Sequence, residues 1–324
     1  MLENGNKRIM KRHFLTIGII LLIFTGCVPM VSTSGSSVSS DNSVASTAPV
    51  SIPTAASELN PYSIEALANK TYGEGELTVE YLWERQEDFT RYYITYPSDG
   101  LIIHGFVDIP EGDGPFPVVI ALHGYIPAAE YETLDYSTRY ADSIARQGYI
   151  VLHPNMRNFP PSDSPGRIRD SLTGYTVDVL NLLALVRQSA GQEGIFENAD
   201  VERLGIWGHS LGGGIALRVA TLVDEIDAIV LYAAVTQRYN ETPIGLPVYD
   251  LRVIDAPFSI HHGFDDETVS PAWTETICNT LEELGKEYEC YFYEGQPHTF
   301  LRSGSSDALL IQRTVEFFDQ YLGD

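Results

Sequence analysis

The fold is decided by the stretch Ile206-Trp207-Gly208-His209-Ser210-Leu211-Gly212-Gly213-Gly214. A short apolar strand pattern ends at Trp207 and a helical pattern begins at Leu211, so the chain turns sharply between them. Gly208, Ser210 and Gly212 match the G-x-S-x-G pattern of a nucleophile elbow, in which a strained turn exposes a serine hydroxyl. Glycines flank the serine because side chains there would clash. The alternative is an ordinary glycine-rich junction between a strand and a helix.

Apolar runs alternate with helical patterns on both sides of this turn. Strands are predicted at residues 118–122, 149–153, 203–207, 228–232, 258–261 and 288–293. Helices are predicted at residues 133–147, 171–188, 211–223, 271–284 and 307–321. This alternation is typical of an α/β fold with a doubly wound, mostly parallel sheet and helices on both faces.

The segment before this alternation has a different character. A short helix is predicted at residues 61–67, and strands at 77–83, 89–96 and 101–109. Ser98-Asp99-Gly100 is a hairpin turn between the last two strands. The sequence therefore predicts antiparallel strands at the N-terminal edge of the sheet.

Charge and length limit the function. The chain has 324 residues, with 20 Lys and Arg against 44 Asp and Glu. This length suffices for one large α/β domain. The acidic balance argues against nucleic acid and anionic lipid as partners.

Residues 1–27 have the pattern of an export signal. A basic segment with Lys11 and Arg12 precedes an apolar run at 14–24, too short for a spanning helix. Phe24-Thr25-Gly26-Cys27 resembles the lipobox of bacterial lipoproteins, which implies lipidation of Cys27 and a place on the outer face of the bacterial cell membrane. A simple secretory signal or an uncleaved anchor is the alternative, and each exports the chain. The lipid would be the only contact with the membrane.

A serine-rich segment separates this signal from the domain. Residues 28–57 offer almost nothing to bury and are expected to form a disordered tether. Residues 58–324 are expected to form the catalytic domain.

Loops after the predicted strands contain the candidate chemistry. His123-Gly124-Tyr125 follows the strand at 118–122. In this architecture the backbone N–H of Tyr125 can join that of Leu211 in an oxyanion hole. His123 is expected to be structural and to hold its loop by a hydrogen bond.

An acid and a base are expected from two further loops. Asp265, Asp266 and Glu267 lie between a strand and a helix, where a triad acid belongs, although acids also favour helix starts. His298 follows the next strand, so the chain order is Ser, Asp, His. A metal site at His261 and His262 is disfavoured because neighbouring residues point to opposite sides of a strand. The sequence thus predicts neither a metal nor a cofactor.

Together these motifs resemble the catalytic domain of the prolyl oligopeptidase family, within the α/β-hydrolase superfamily. The resemblance extends from about residue 92 to the C-terminus. It covers the following motifs: His123-Gly124-Tyr125, Gly208-His209-Ser210-Leu211-Gly212-Gly213, Gly263-Phe264-Asp265-Asp266-Glu267-Thr268-Val269 and Gly295-Gln296-Pro297-His298. The family's Gly-x-x-Asp-x-x-Val pattern selects Asp266 as the acid. The resemblance as a whole implies a serine hydrolase with Ser210 as nucleophile, His298 as base and an acyl-enzyme intermediate.

The chain also departs from that family. The larger peptidases have an N-terminal propeller, for which the segment before the core strands is too short, and residues 233–256 are short as well. Both features suggest an open cleft. The expected function is therefore exported hydrolysis of a peptide or carboxylic ester, with a carboxylesterase or carbohydrate acetyl-esterase as the alternative. A more distant alternative is a non-catalytic surface binding protein, against which the complete triad argues.

Cys278 and Cys290 are a candidate pair for a disulfide. Lipidation of Cys27 would leave this even pair in an exported chain, on a helix and the strand that follows it. Two buried thiols are the alternative.

Overall fold

The computed structural model describes residues 63–165, 171–236, 249–302 and 304–323. The predicted signal with Cys27, the predicted tether at 28–57 and the first residues of the predicted domain lie outside these ranges. So do residues 237–248 of the short segment at 233–256.

The described residues form strands and helices in the predicted order. The strands are β1 (Thr78–Arg85), β2 (Phe89–Ser98), β3 (Leu101–Pro110), β4 (Phe116–Leu122), β5 (Ile150–Pro154), β6 (Ala199–His209), β7 (Ala228–Tyr232), β8 (Phe258–Gly263) and β9 (Tyr288–Tyr293). The helices are α1 (Ile64–Ala68), α2 (Thr138–Ala145), α3 (Ser171–Ser189), α4 (Leu211–Ala220), α5 (Pro271–Glu283) and α6 (Ser305–Leu322).

The strands form one sheet in the order β1-β2-β3-β5-β4-β6-β7-β8-β9. Strands β1, β2, β3 and β5 pair antiparallel in that order, and the pairs from β5 through β4 to β9 are parallel. The predicted α/β fold with N-terminal antiparallel strands is therefore confirmed. The carboxyl ends of the parallel strands lie at one edge, where ligand sites of such sheets are found.

A hydrophobic core covers each face of the sheet. Ile120 and Ile206 pack with side chains from α3 and α4, whereas Val119 and Trp207 pack with side chains from α2 and α6. Alternate residues of β4 and β6 thus enter opposite cores, which explains why these strands are continuous apolar runs. Within the described ranges, the helices are too short or too polar to span a membrane.

Two element boundaries differ from the prediction in a way that matters for the site. The helix predicted at 133–147 begins only at Thr138, because the Asp135 carboxylate accepts a hydrogen bond from the Ser137 backbone N–H at 2.6 Å and holds a turn there. Tyr136 therefore lies in a loop. The strand predicted at 258–261 continues to Gly263, so His262 is a strand residue.

A disulfide joins Cys278 of α5 to Cys290 of β9, whose Cα atoms are 6.5 Å apart. We expect its reduction, or the double substitution Cys278→Ala and Cys290→Ala, to lower the free energy of unfolding by about 2–4 kcal/mol, because the cross-link restricts the unfolded chain. Chemical denaturation with and without reductant measures this difference. Rapid reaction of both cysteines with a thiol reagent in denatured, unreduced protein would contradict the bond.

His153 and His261 are buried inside the fold. Burial lowers the pKa of His153 to about 4 and that of His261 to about 3. An unfolded histidine has a pKa of about 6.5, so below that pH the unfolded chain binds protons that the folded chain does not. The stability that depends on these neutral rings is fully present above about pH 6.5. It is lost as the pH falls to about 4 for His153 and to about 3 for His261.

We expect the imidazole ¹⁵N signals of His153 and His261 to stay at their neutral positions down to about pH 5. Nuclear magnetic resonance of histidine-labelled protein measures this. Titration of either signal near pH 6.5 would show that the ring is not sealed from water.

Candidate active site

Ser210 lies on the turn between β6 and α4 in a strained conformation, with φ at 54° and ψ at −115°. A Cβ atom on Gly208 would lie 2.5 Å from the carbonyl oxygen of Gly212, and one on Gly212 would strike the carbonyl oxygen of Leu122. Both flanking glycines are therefore required by backbone contacts. The turn is a nucleophile elbow and not an ordinary junction.

Ser210 faces His298, which follows β9. The Ser210 hydroxyl lies 2.9 Å from Nε2 of His298, and Nδ1 of His298 lies 2.7 Å from Oδ2 of Asp266. Since a carboxylate only accepts, Nδ1 holds the proton and Nε2 is free to accept the serine proton. The structure thus brings together the three residues that the sequence analysis named as nucleophile, acid and base.

Hydrogen bonds occupy both oxygens of Asp266. Oδ1 accepts from the backbone N–H groups of Thr268 and Val269, each at 2.8 Å, and Oδ2 lies 3.0 Å from Nε2 of His262 in addition to His298. Burial raises the pKa of Asp266, but hydrogen bonds from His262 and His298 and from the Val269 amide outweigh burial and hold that pKa well below its usual value. The carboxylate is therefore charged at neutral pH.

The neighbouring acids do not share this environment. The side chains of Asp265 and Glu267 are exposed, whereas Asp266 is buried. The backbone N–H of Asp265 donates to the carbonyl oxygen of Gln296 at 3.0 Å, which joins the Asp266 loop to the His298 loop. Of the three acids left open by the residues alone, only Asp266 contacts His298.

The sequence pattern indicated His262 only as a disfavoured metal ligand, whereas the structure makes it a site residue. The hydroxyl of Thr274 donates to Nδ1 at 2.7 Å, so Nε2 has the proton and points to Asp266 and to the Val269 carbonyl. Its position four residues before the acid, at a strand end, was the available signal. Across the described ranges, no group of three or more His, Cys, Asp and Glu side chains is arranged to hold a metal ion.

The candidate oxyanion donors flank Ser210. Leu211 begins α4, where the first backbone N–H groups have no acceptor within the helix. Gly124 packs so closely that a Cβ atom on it would lie 3.1 Å from Cβ of Ser210, and Tyr125 is the next residue. His123 is buried, with its ring nitrogens 2.7 and 2.9 Å from the carbonyl oxygens of Gly124 and Asn155. It holds the loop, as expected from the sequence.

The profile of the dienelactone hydrolase family matches residues 103–322, which include the elbow and both partner loops. The chain belongs to the dienelactone hydrolase family. That family lies within the α/β-hydrolase superfamily, and the predicted resemblance to that superfamily is confirmed.

Curated relatives match part of the chain at low identity. Esterase EstD of Thermotoga maritima is 29% identical over 138 residues, which are 40% of this chain and 29% of that protein. The chain spans less than half the length of the first curated relatives that it matches.

Solved structures include both esterases and peptidases. An acetyl xylan esterase from Paenibacillus sp. R4 aligns with a TM-score of 0.59 and 18% identity, over 80% of this chain and 92% of that chain. The acylaminoacyl peptidase of Pyrococcus horikoshii aligns with a TM-score of 0.57 and 20% identity, over 74% of this chain and 43% of that chain. At such identities the alignments show a shared fold alone. This chain shares that fold with esterases and with peptidases.

Proposed function

We propose that this family member is a serine hydrolase that cleaves carboxylic esters through an acyl-enzyme. The observation that carries the proposal is the position of His298, with Nε2 2.9 Å from the Ser210 hydroxyl and Nδ1 2.7 Å from Asp266. A serine becomes a competent nucleophile at neutral pH when an oriented base can take its proton.

The reaction has two halves. In the first, Ser210 Oγ attacks the ester carbonyl carbon while His298 Nε2 takes its proton, and the backbone N–H groups of Leu211 and Tyr125 stabilise the oxyanion. The intermediate collapses as His298 returns the proton to the leaving alcohol. In the second half, His298 activates a water molecule that releases the acid from Ser210. Asp266 orients His298 and stabilises the imidazolium in both halves.

Ester cleavage is favoured over peptide cleavage by the chemistry of the leaving group. An alcohol leaves more readily than a strongly basic amine, which needs accurate protonation and firm binding of the flanking chain. The names of relatives support an ester substrate, since EstD is an esterase and one structural neighbour is an acetyl xylan esterase.

Exposed apolar side chains in the loops that contain the site residues support an apolar acyl or alcohol group. Tyr125, itself a proposed oxyanion donor, is 68% exposed. Phe264, two residues before Asp266, is 43% exposed, and Leu301, three residues after His298, is 74% exposed. Exposed apolar surface on the loops of an active site is available for substrate contact. A butyryl ester should therefore be cleaved at least as well as an acetyl ester.

A parallel substrate panel tests the proposal. We expect p-nitrophenyl butyrate and acetate to be hydrolysed with a higher kcat/KM than aminoacyl p-nitroanilides, with acetylated sugars as a third arm and Ser210→Ala as the blank. A wild-type rate on the esters no higher than that of the blank would refute hydrolysis at Ser210.

Peptide cleavage is the second candidate function. It is favoured by the four motifs of the prolyl oligopeptidase family and by the fold of acylaminoacyl peptidase. If a proline or alanine anilide is cleaved with a kcat/KM equal to that of the esters, the peptidase assignment replaces the ester preference.

A further inference from the structure

The Tyr136 hydroxyl takes no part in the proposed reaction, but it lies between two parts of the site that do. It accepts a hydrogen bond from the backbone N–H of Gly124 at 2.8 Å, in the loop that contains Tyr125. It also donates its proton to Nδ1 of His209, the residue before Ser210. One phenol thus connects the proposed oxyanion loop to the elbow.

His209 continues this connection to the base. With Nδ1 accepting from Tyr136, the proton is on Nε2, which donates to the backbone carbonyl oxygen of His298 at 3.1 Å. The ring centroids of His209 and His298 are also 4.7 Å apart. Burial lowers the pKa of His209 well below its usual value, which keeps the ring neutral and the direction of these bonds fixed.

The packing around Gly124 shows how closely these groups are fitted. A Cβ atom on Gly124 would lie 2.6 Å from the Tyr136 hydroxyl, 3.0 Å from Nδ1 of His209 and 3.1 Å from Cβ of Ser210. A shift of the hydroxyl or of the His209 ring would therefore displace the Gly124 backbone relative to the nucleophile.

We propose that Tyr136 and His209 are positioning residues, whose hydrogen bonds from the Gly124 N–H to the His298 carbonyl hold the oxyanion loop and the general base in register with Ser210. The inference rests on the proposed function and names two further residues on which its rate depends. Neither residue takes part in the proton transfers. They act through the placement of Tyr125 N–H and of His298, which matters most in the transition state.

Tyr136→Phe removes the hydroxyl and leaves the ring in place. We expect it to lower kcat on p-nitrophenyl butyrate by about 10- to 100-fold, with KM changed less than about twofold, since geometry at the oxyanion affects the transition state more than binding. His209→Gln, which keeps a donor for the His298 carbonyl but breaks the link to Tyr136, should lower kcat similarly. The double variant should lose no more kcat than the less active of the two single variants, because both substitutions break the same connection.

Tyr149→Phe is the matched control. Its hydroxyl donates to Asp319 at 2.6 Å, and Tyr149 precedes β5, at the edge of the sheet opposite the triad. It should lower the melting temperature about as much as Tyr136→Phe while leaving kcat near the wild-type value.

The outcomes separate this inference from the proposed function. A wild-type protein that neither hydrolyses esters nor reacts with a fluorophosphonate at Ser210 overturns both. An active wild type with kcat retained within twofold in both Tyr136→Phe and His209→Gln overturns the positioning role alone. That role is also overturned if Tyr149→Phe loses as much kcat as Tyr136→Phe, or if the losses of the two single variants multiply in the double variant.

Discussion

Ser210→Ala is expected to abolish turnover of p-nitrophenyl esters and labelling by a fluorophosphonate probe. Removing the nucleophile of a serine triad lowers kcat by about 10⁶-fold. Only a small change in stability should accompany it, because the backbone contacts that shape the elbow are made by Gly208, Gly212 and main-chain atoms. Turnover and in-gel labelling of purified variants measure both effects.

Ser259→Ala is the matched control for this experiment. Ser259 also pairs with a histidine, since its hydroxyl lies 3.0 Å from Nε2 of His261, but it is fully buried in β8. This variant should keep labelling and turnover. Labelling that persists in Ser210→Ala would show that another residue is the nucleophile.

Asp266→Asn is expected to lower kcat by about 10⁴-fold, the effect of this substitution on a Ser–His–Asp triad. The amide oxygen will take the place of Oδ1, where it can still accept from the Thr268 and Val269 amides. The amide NH₂ must then face the N–H groups of His262 and His298. Donors meet donors there, so His298 loses the tautomer that leaves Nε2 free to accept.

Asp265→Asn is the control, because it removes the same charge one residue away. Its side chain is exposed and its backbone contact to Gln296 needs no carboxylate. We expect it to keep most of the activity. If Asp265→Asn proves the more damaging change, the acid has been assigned one residue out of register.

The sequence by itself determined the features that depend on neighbouring residues. The elbow is local, because the backbone strain at Ser210 and the close contacts around it require glycine at positions 208 and 212. The α/β alternation is also local, since a strand covered on both faces must be apolar throughout. The order of Ser210 and His298 in loops after parallel strands could therefore be predicted from the residues alone.

Only the tertiary structure decided which distant groups meet. Without it, three neighbouring acids were equivalent by residue type, and the family pattern was needed to prefer Asp266. The Tyr136 hydroxyl meets His209 across 73 residues of chain, and His209 meets the His298 carbonyl across 89. A hydrogen bond depends on fractions of an ångström between loops from different strands, and that alignment is set by the packing of the whole sheet and not by any one segment.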